Sequence, residues 1–571
     1  MKKRLPSKTS NYATLIDEGA FYVDKTHYIR TLESINDRYI FFLRPRRFGK
    51  SLHLSMLEHY YGIQHKNRFS ELFGEYFIGK PENTTPLHNA YYTLSFSFSG
   101  ITTDVKEDIK EKFDVEVRTA LKNFLYKYAI GSEAEIDRDL SVDGGSELLR
   151  NFAVIFRKYR PDGRIYLLID EYDHFTNELF AFNKDHFKKI VTQNGWVRKF
   201  YEVIKQLMGE GLIDRFFATG VTPVTLDSMT SGFNVAHNIS LDQKFHEMAG
   251  FTESELKSLI ENTIYQEGKL DLEALIPDMR SWYNGSKFSA GAVERLYNPQ
   301  MVITFLAKFS DRFEYPDEMS DINVTSDYKK ISNILGLLPS DEADAIIEEI
   351  LESDSISEKL TLQFNFELPY TRIEAISLLF FNGLLTIKDA SFQVYDLVIP
   401  NHVIKVLYWE YFRSLFEARN QIKYESVPVR DALIEMATTG RIDKLAAYVS
   451  EVLKNLSNRD LMQFSEKNIK MIFMTLLMGN NAYFIKSEQE NNEGYTDILL
   501  IPTQLNPGKF SFILELKYIR RSDSDHFETE KLKAIEQVSR YRQSLGAGGV
   551  NCKAFAILFS GKNDYVISAV D

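Results

Sequence analysis

Cysteine is almost missing from this chain: its 571 residues contain one, Cys552. That excludes an internal disulfide framework and any zinc site built from cysteines, and it fits a reducing compartment, with the cytoplasm as the expected location. Long apolar runs are missing too. The longest, such as Ile376 to Ile387, are interrupted and fall well short of the ~20 residues a membrane helix needs, so no membrane partner is expected. The basic start Met1-Lys2-Lys3-Arg4-Leu5-Pro6 leads into polar Ser7-Lys8-Thr9-Ser10-Asn11 rather than a signal-peptide core. Net positive charge is lacking as well. At −12 the molecule is no general binder of polyanions, and contact with nucleic acid must use a local basic patch. Residues 1–50 hold one, with eleven Lys or Arg against five Asp or Glu.

What is present is ample apolar residue content, 44% of the chain, beside 26% charged residues. This suffices for two to four domains with cores of their own. Asp143-Gly144-Gly145, Pro161-Asp162-Gly163, Asn284-Gly285 and Asn506-Pro507-Gly508 read as turns between periodic segments. Residues 1–265 alternate short apolar strands (Tyr39 to Leu43, Tyr91 to Phe96, Ile165 to Ile169, Arg215 to Thr219) with amphipathic helices. This pattern predicts an α/β domain with a mostly parallel sheet. Residues 266–420 read as largely helical, a lid or linker region without a chemical motif. Residues 421–571 end in the order αβββαβ, a compact sheet with flanking helices.

The first chemical signal follows the strand Tyr39-Ile40-Phe41-Phe42-Leu43. Arg44-Pro45-Arg46-Arg47-Phe48-Gly49-Lys50-Ser51 then leads into the helix starting at Leu52. Strand, loop, Gly-Lys-Ser and helix N-terminus together present backbone amides to an anion, although Arg44 stands where the pattern G-x-x-x-x-G-K-S/T has its first glycine. Gly49 lets the backbone approach phosphate, Lys50 reaches the β- and γ-phosphates, and Ser51 offers a hydroxyl to Mg²⁺. One of the loop arginines, Arg46 being the candidate, supplements the phosphate charge while Pro45 stiffens the loop. A second apolar strand, Ile165 to Ile169, runs into Asp170-Glu171, which suit a Mg²⁺ ligand and a carboxylate that polarises the attacking water. Thr219, closing a third strand, is a candidate γ-phosphate sensor. ATP and Mg²⁺ are the expected cofactors.

The second signal lies near the C-terminus. If the strands around Asp497 and Glu515 pair antiparallel with Ile501 opposite Ser511, Asp497 falls opposite Glu515, and Lys517 shares their face. Two carboxylates beside a lysine can hold Mg²⁺, activate water and stabilise charge on a phosphodiester. Glu466, on the preceding helix, could add a third carboxylate, or it is a surface residue near a helix start. The order Asp497, then Glu515-x-Lys517, matches PD-(D/E)xK.

The chain therefore resembles proteins that join a P-loop, AAA-ATPase-like domain to a C-terminal PD-(D/E)xK nuclease domain of restriction-endonuclease-like fold. Further matching pieces are Phe21-Tyr22-Val23-Asp24-Lys25-Thr26, Asp170-Glu171-Tyr172-Asp173, Thr219-Gly220-Val221, Ser231-Gly232-Phe233-Asn234, Tyr297-Asn298-Pro299 and Ile399-Pro400-Asn401. The resemblance implies an ATPase-coupled nuclease acting on nucleic acid, DNA ahead of RNA, in defence against mobile DNA. In it the arginine-rich loop is the usual form. Gln537 and Tyr541 resemble the Gln-x-x-x-Tyr element of RecB-like nucleases, though Tyr541 also fits the core stripe Ile535, Val538, Leu545. Two departures mark this chain: His174-Phe175 replaces a small residue and proline, and Tyr495 replaces an arginine before the metal-binding Asp. The second motivates an alternative, a nucleotide-dependent switch whose C-terminal domain binds nucleic acid or protein without cutting. AAA-type sites are often completed between subunits, so a homo-oligomer is compatible, but no arginine in the sequence demands one.

Overall fold

A strand such as Ile165-Tyr166-Leu167-Leu168-Ile169 has apolar side chains for both faces and belongs inside a sheet covered on both sides. The computed structural model describes residues 2–101, 109–174, 195–224, 236–316, 319, 324–362, 364, 369–420, 423–456, 465–478, 482–491, 494–505, 510–520, 525–544, 551–561 and 564–570. Its chain forms two compact units. One is Met1–Asp311 with Asn333–Glu342 and Ser357–Pro400; the other is Arg312–Ser332 with Ala343–Ile356 and Asn401–Asp571.

In the first unit, β1 (Tyr39–Leu43), β2 (Tyr92–Ser97), β3 (Ile165–Asp170), β4 (Ile213–Gly220) and β5 (His237–Asn238) form one sheet in the order β2-β3-β4-β1-β5. Every pairing is parallel. The helix Lys50–Tyr61 packs on one face, where Tyr61 meets Tyr166 and His53 meets Phe217. Helices Ile109–Lys127, Gly145–Tyr159 and Trp196–Gly209 cover the other through Phe124, Phe156 and Phe200, which meet Tyr92 and Phe96. Parallel order brings the C-terminal ends of β1, β3 and β4 together, the edge where such sheets bind ligands.

The segment between residues 266 and 420 is less purely helical than its pattern predicts. Beside helices such as Pro299–Arg312 and Arg372–Phe381 it contains the short strand β6 (Ser355–Glu358) and the antiparallel hairpin of β7 (Thr386–Ser391) and β8 (Val394–Val398). The hairpin turns on Phe392 and Gln393, both at positive φ (50° and 66°). Such a turn ordinarily advertises itself by Asn-Gly or Gly-Gly, and without glycine the signal is lost.

In the second unit, β9 (Tyr483–Asn491), β10 (Gly494–Pro502), β11 (Ser511–Ile519), β12 (Cys552–Ser560) and β13 (Asp564–Val570) form a mixed sheet in the order β13-β12-β11-β10-β9. Only β11 and β12 run parallel, joined by the helix Phe527–Ser544. That helix lays Ala534, Val538 and Tyr541 on Leu499, Ile513, Ala556 and Leu558. On the opposite face lies the helix Glu466–Met478, where Phe473 meets Phe559. Strand β13 extends the expected αβββαβ order: after Gly561, in the left-handed region at φ 59°, the chain folds straight back along β12. Among the described residues, no helix is long and apolar enough to cross a membrane.

Candidate active sites

The loop after β1 is shaped by two left-handed residues, Arg47 at φ 71° and Gly49 at φ 90°. Alternation of this kind turns successive amides inward as an anion-binding nest, and the helix Lys50–Tyr61 adds its N-terminus. The Lys50 ammonium donates to the Pro45 carbonyl at 3.0 Å and is buried. Burial pushes its pKa down to about 8, against the pull of Asp170, Asp173 and Glu171. The carboxyl of Asp170 is raised, first by burial, while hydrogen bonding to Ser51 and the charge of Lys50 work the other way. Ser51, Lys50, Asp170 and Glu171 are thus brought together from β1 and β3. Glu171 sits at φ 49°, a conformation uncommon for a non-glycine residue.

Thr219 is placed differently. It is fully buried, and its hydroxyl donates to the Phe42 carbonyl of β1 at 3.0 Å. Asp173 has the larger part in the same turn. Its buried carboxylate accepts from Val221 N at 3.0 Å and from Thr222 N at 2.6 Å, pinning the exit of β4 to the end of β3. A Cβ on Gly220 would come within 2.3 Å of Asp173 Oδ1, so the glycine of Thr219-Gly220-Val221 is a steric requirement.

Arg44 answers for the missing first glycine by leaving the loop altogether. Its guanidinium is buried and donates to four carbonyls: Leu43 at 2.9 Å, Ser240 at 2.7 Å, Phe245 at 3.0 Å and His246 at 3.2 Å. It is stacked between Phe42 (4.4 Å) and Phe288 (4.3 Å), a cation–π sandwich. Burial lowers its pKa to about 9. Arg44 is therefore a strut under the loop. Arg46 is the exposed arginine, with Nη2 3.5 Å from His174 Nδ1. Asn298 supports the loop from below, donating to the Arg46 carbonyl at 3.3 Å while accepting from Met301 N at a helix start. Asp24 and Lys25 are likewise structural: Asp24 accepts from Thr26 and Phe77 N, and Lys25 pairs with Glu255 at 2.6 Å. Residues 231–234 and Phe175 lie outside the described residues.

The second site depends on register. Ile498 pairs with Leu514 and Leu500 with Phe512, so one step further Asp497 stands across from Glu515, as the sequence predicts. Oxygens of Glu466, Asp497 and Glu515 lie within 4.8 Å of one another. Lys517 Nζ bridges two of them, 2.9 Å from Glu466 Oε1 and 3.0 Å from Glu515 Oε1. Asp497 is oriented by the Leu516 amide, which donates to Oδ2 at 2.8 Å. Glu515 is 1% exposed and its pKa is pushed up to about 8, first by burial and then by the charge of Asp497. Burial also raises Asp497. Lys517 is raised: burial alone would lower it, but Glu515 and Glu466 prevail. The sequence reading missed Lys470. It lies one turn beyond Glu466 on the same helix, buried, and its charge offsets a small part of the rise at Asp497. Glu466-x-x-x-Lys470 is visible in sequence as a same-face pair, but only the fold aims it at Asp497. Tyr541 belongs to the core, and its hydroxyl accepts from Gln537 at 3.0 Å.

Residues 6–230 match the family model described as predicted AAA-ATPase, and residues 464–569 match that of the PD-(D/E)XK nuclease superfamily. The chain joins a predicted AAA-ATPase domain to a PD-(D/E)XK nuclease domain. It is also similar to an uncharacterized protein in the vnfD 5' region of Azotobacter chroococcum mcd 1, with 23% identity over 448 residues, 72% of this chain and 78% of that one.

The residues present fit the groups these domains use. In the nuclease domain, Glu515 Oε2 is buried with no donor among the described residues, and with the two further carboxylates it offers a set of oxygen ligands, the hard set that suits Mg²⁺. In the AAA-ATPase domain, the nest, Lys50 and the Ser51–Asp170 pair supply the donors and the oxygens that a Mg²⁺-nucleotide engages.

Proposed function

We propose that this protein binds and hydrolyses ATP in its first domain, and that the nucleotide state controls a Mg²⁺-dependent cut in nucleic acid, DNA ahead of RNA, made by its last domain. Residues 1–265 act as the ATPase, 266–420 as the relay and 421–571 as the nuclease, in defence against mobile elements. The observation that carries the nuclease half is the convergence of Glu466, Asp497 and Glu515 around Lys517.

In the ATPase, Gly49 and the loop amides receive the phosphates, with Lys50 and Arg46 adding charge. Ser51 and Asp170 hold Mg²⁺, Glu171 polarises the attacking water, and Thr219 braces β4 against β1. In the nuclease, Glu466, Asp497 and Glu515 would hold Mg²⁺, which supplies charge to acidify water and to screen the phosphodiester. Lys517 stabilises the negative charge that grows on the non-bridging phosphate oxygens as the water oxygen bonds to phosphorus and the P–O bond to the leaving group breaks. The Leu516 amide and the sheet keep Asp497 aimed.

The test compares DNA and RNA cleavage with Mg²⁺, with and without ATP, for the wild type and Asp497→Ala. Metal-dependent cleavage that Asp497→Ala abolishes is expected. Cleavage that survives the substitution overturns this site, and ATP-dependent binding with no cleavage by the wild type favours the switch reading.

A further inference from the structure

His174 Nδ1 faces two residues of the ATPase site at once. Arg46 Nη2 lies 3.5 Å away and Glu171 Oε2 lies 3.6 Å away. One ring nitrogen cannot serve both. Accepting from the guanidinium requires the lone pair on Nδ1, whereas donating to the carboxylate requires a proton there. The first separation is at the outer limit of a hydrogen bond and the second just beyond it, so closing either one calls for a different state of the ring. Arg46 is exposed on the loop, whereas Glu171 is half-buried in the turn that closes β3, with its backbone in the left-handed region at φ 49°.

We propose that His174 is a positioning residue that transfers its Nδ1 from the Arg46 guanidinium to the Glu171 carboxylate when the phosphates of a nucleotide draw Arg46 away. Glu171 is then oriented toward water only in the loaded site. A ring that carries one N–H makes this change by losing the proton on Nε2 to water and taking one from water at Nδ1, so the net proton count is unchanged. The inference rests on the reading of Glu171 as the carboxylate that polarises water.

The experiment measures steady-state ATP hydrolysis by the full chain for the wild type, Glu171→Gln, His174→Leu and His174→Asn. Leucine keeps the bulk of the ring without polarity, and asparagine places an N–H donor at the position of Nδ1. His174→Leu is expected to lower kcat about tenfold with KM for ATP unchanged within about twofold, and His174→Asn to recover most of that loss. A melting temperature equal to that of the wild type separates the loss from unfolding. Wild-type kcat in His174→Leu, with Glu171→Gln inactive, overturns the proposal and leaves the role of Glu171 standing. Equal losses in both His174 variants assign the residue to packing and overturn it as well. Wild-type turnover in Glu171→Gln removes the parent reading, and this inference falls with it.

Discussion

The two sites hold their lysines in opposite ways. Lys50 has a backbone carbonyl as its partner and is pushed down to about 8, whereas Lys517 lies between two carboxylates and is raised. At the first site burial works against the charge of Lys50 and of Asp170 alike, and an incoming anion would favour the charged lysine. At the second the strain rests on the carboxylates: Glu515 and Asp497 are both raised, so an incoming cation relieves it. On the proposed function, the first site takes the phosphates of a nucleotide together with its metal ion, and the second takes a metal ion alone.

The sharpest way to break this contrast is at Lys517. If its ammonium stabilises the phosphodiester rather than merely neutralising Glu515, Lys517→Ala should lower metal-dependent cleavage by ~10²–10³-fold. ATP turnover should stay unchanged, as measured side by side on one preparation. Full cleavage in the variant would reduce Lys517 to a structural counter-ion. The counterpart at the first site is Lys50→Ala, expected to lower ATP turnover by about 10²-fold. If the nucleotide state controls the nuclease, ATP-dependent cleavage should fall in parallel.

Arg44 sharpens the comparison from the structural side. It is a buried cation whose hydrogen bonds from Nη1 and Nη2 go to carbonyls, and Arg44→Met leaves four acceptors in the interior without their donor. Unpaired buried groups cost about 1–3 kcal/mol each before relaxation, so a destabilisation of about 3 kcal/mol or more is expected, read from the denaturant midpoint. A shift below ~1 kcal/mol would show that the strut is dispensable. In sequence, Arg44 stands in the place of the loop's first glycine, and nothing local assigns it a role. Its partners Ser240, Phe245 and Phe288 are about 200 or more residues away, and no local pattern points to them. The facing of Asp497 and Glu515 was legible for the opposite reason, since two strands joined by a short loop have few registers that keep both apolar faces matched. Asp173 was read within a motif but not as a clamp, because its acceptor role needs the neighbouring strand β4.

The smallest effect tests the direction of strain at Glu515. Its ordinary pKa of 4.5 is raised to about 8 in the folded, metal-free protein, first by burial and then by Asp497. A raised folded value means that protonation favours the fold: the contribution is complete below about 4.5 and is lost as pH rises through about 8. Metal-free protein should therefore lose stability across that window, and Mg²⁺ should restore it most strongly at the alkaline end. Because Mg²⁺ displaces the Glu515 proton, its apparent affinity should climb by up to about tenfold per pH unit toward 8 and level off above it. Calorimetric titration at several pH values reads both the affinity and the proton released. Glu515→Gln should flatten the pH dependence of metal-free stability, since glutamine is permanently neutral. If that dependence persists in Glu515→Gln, the strain belongs to Asp497, and the contrast between the two sites must be redrawn around it.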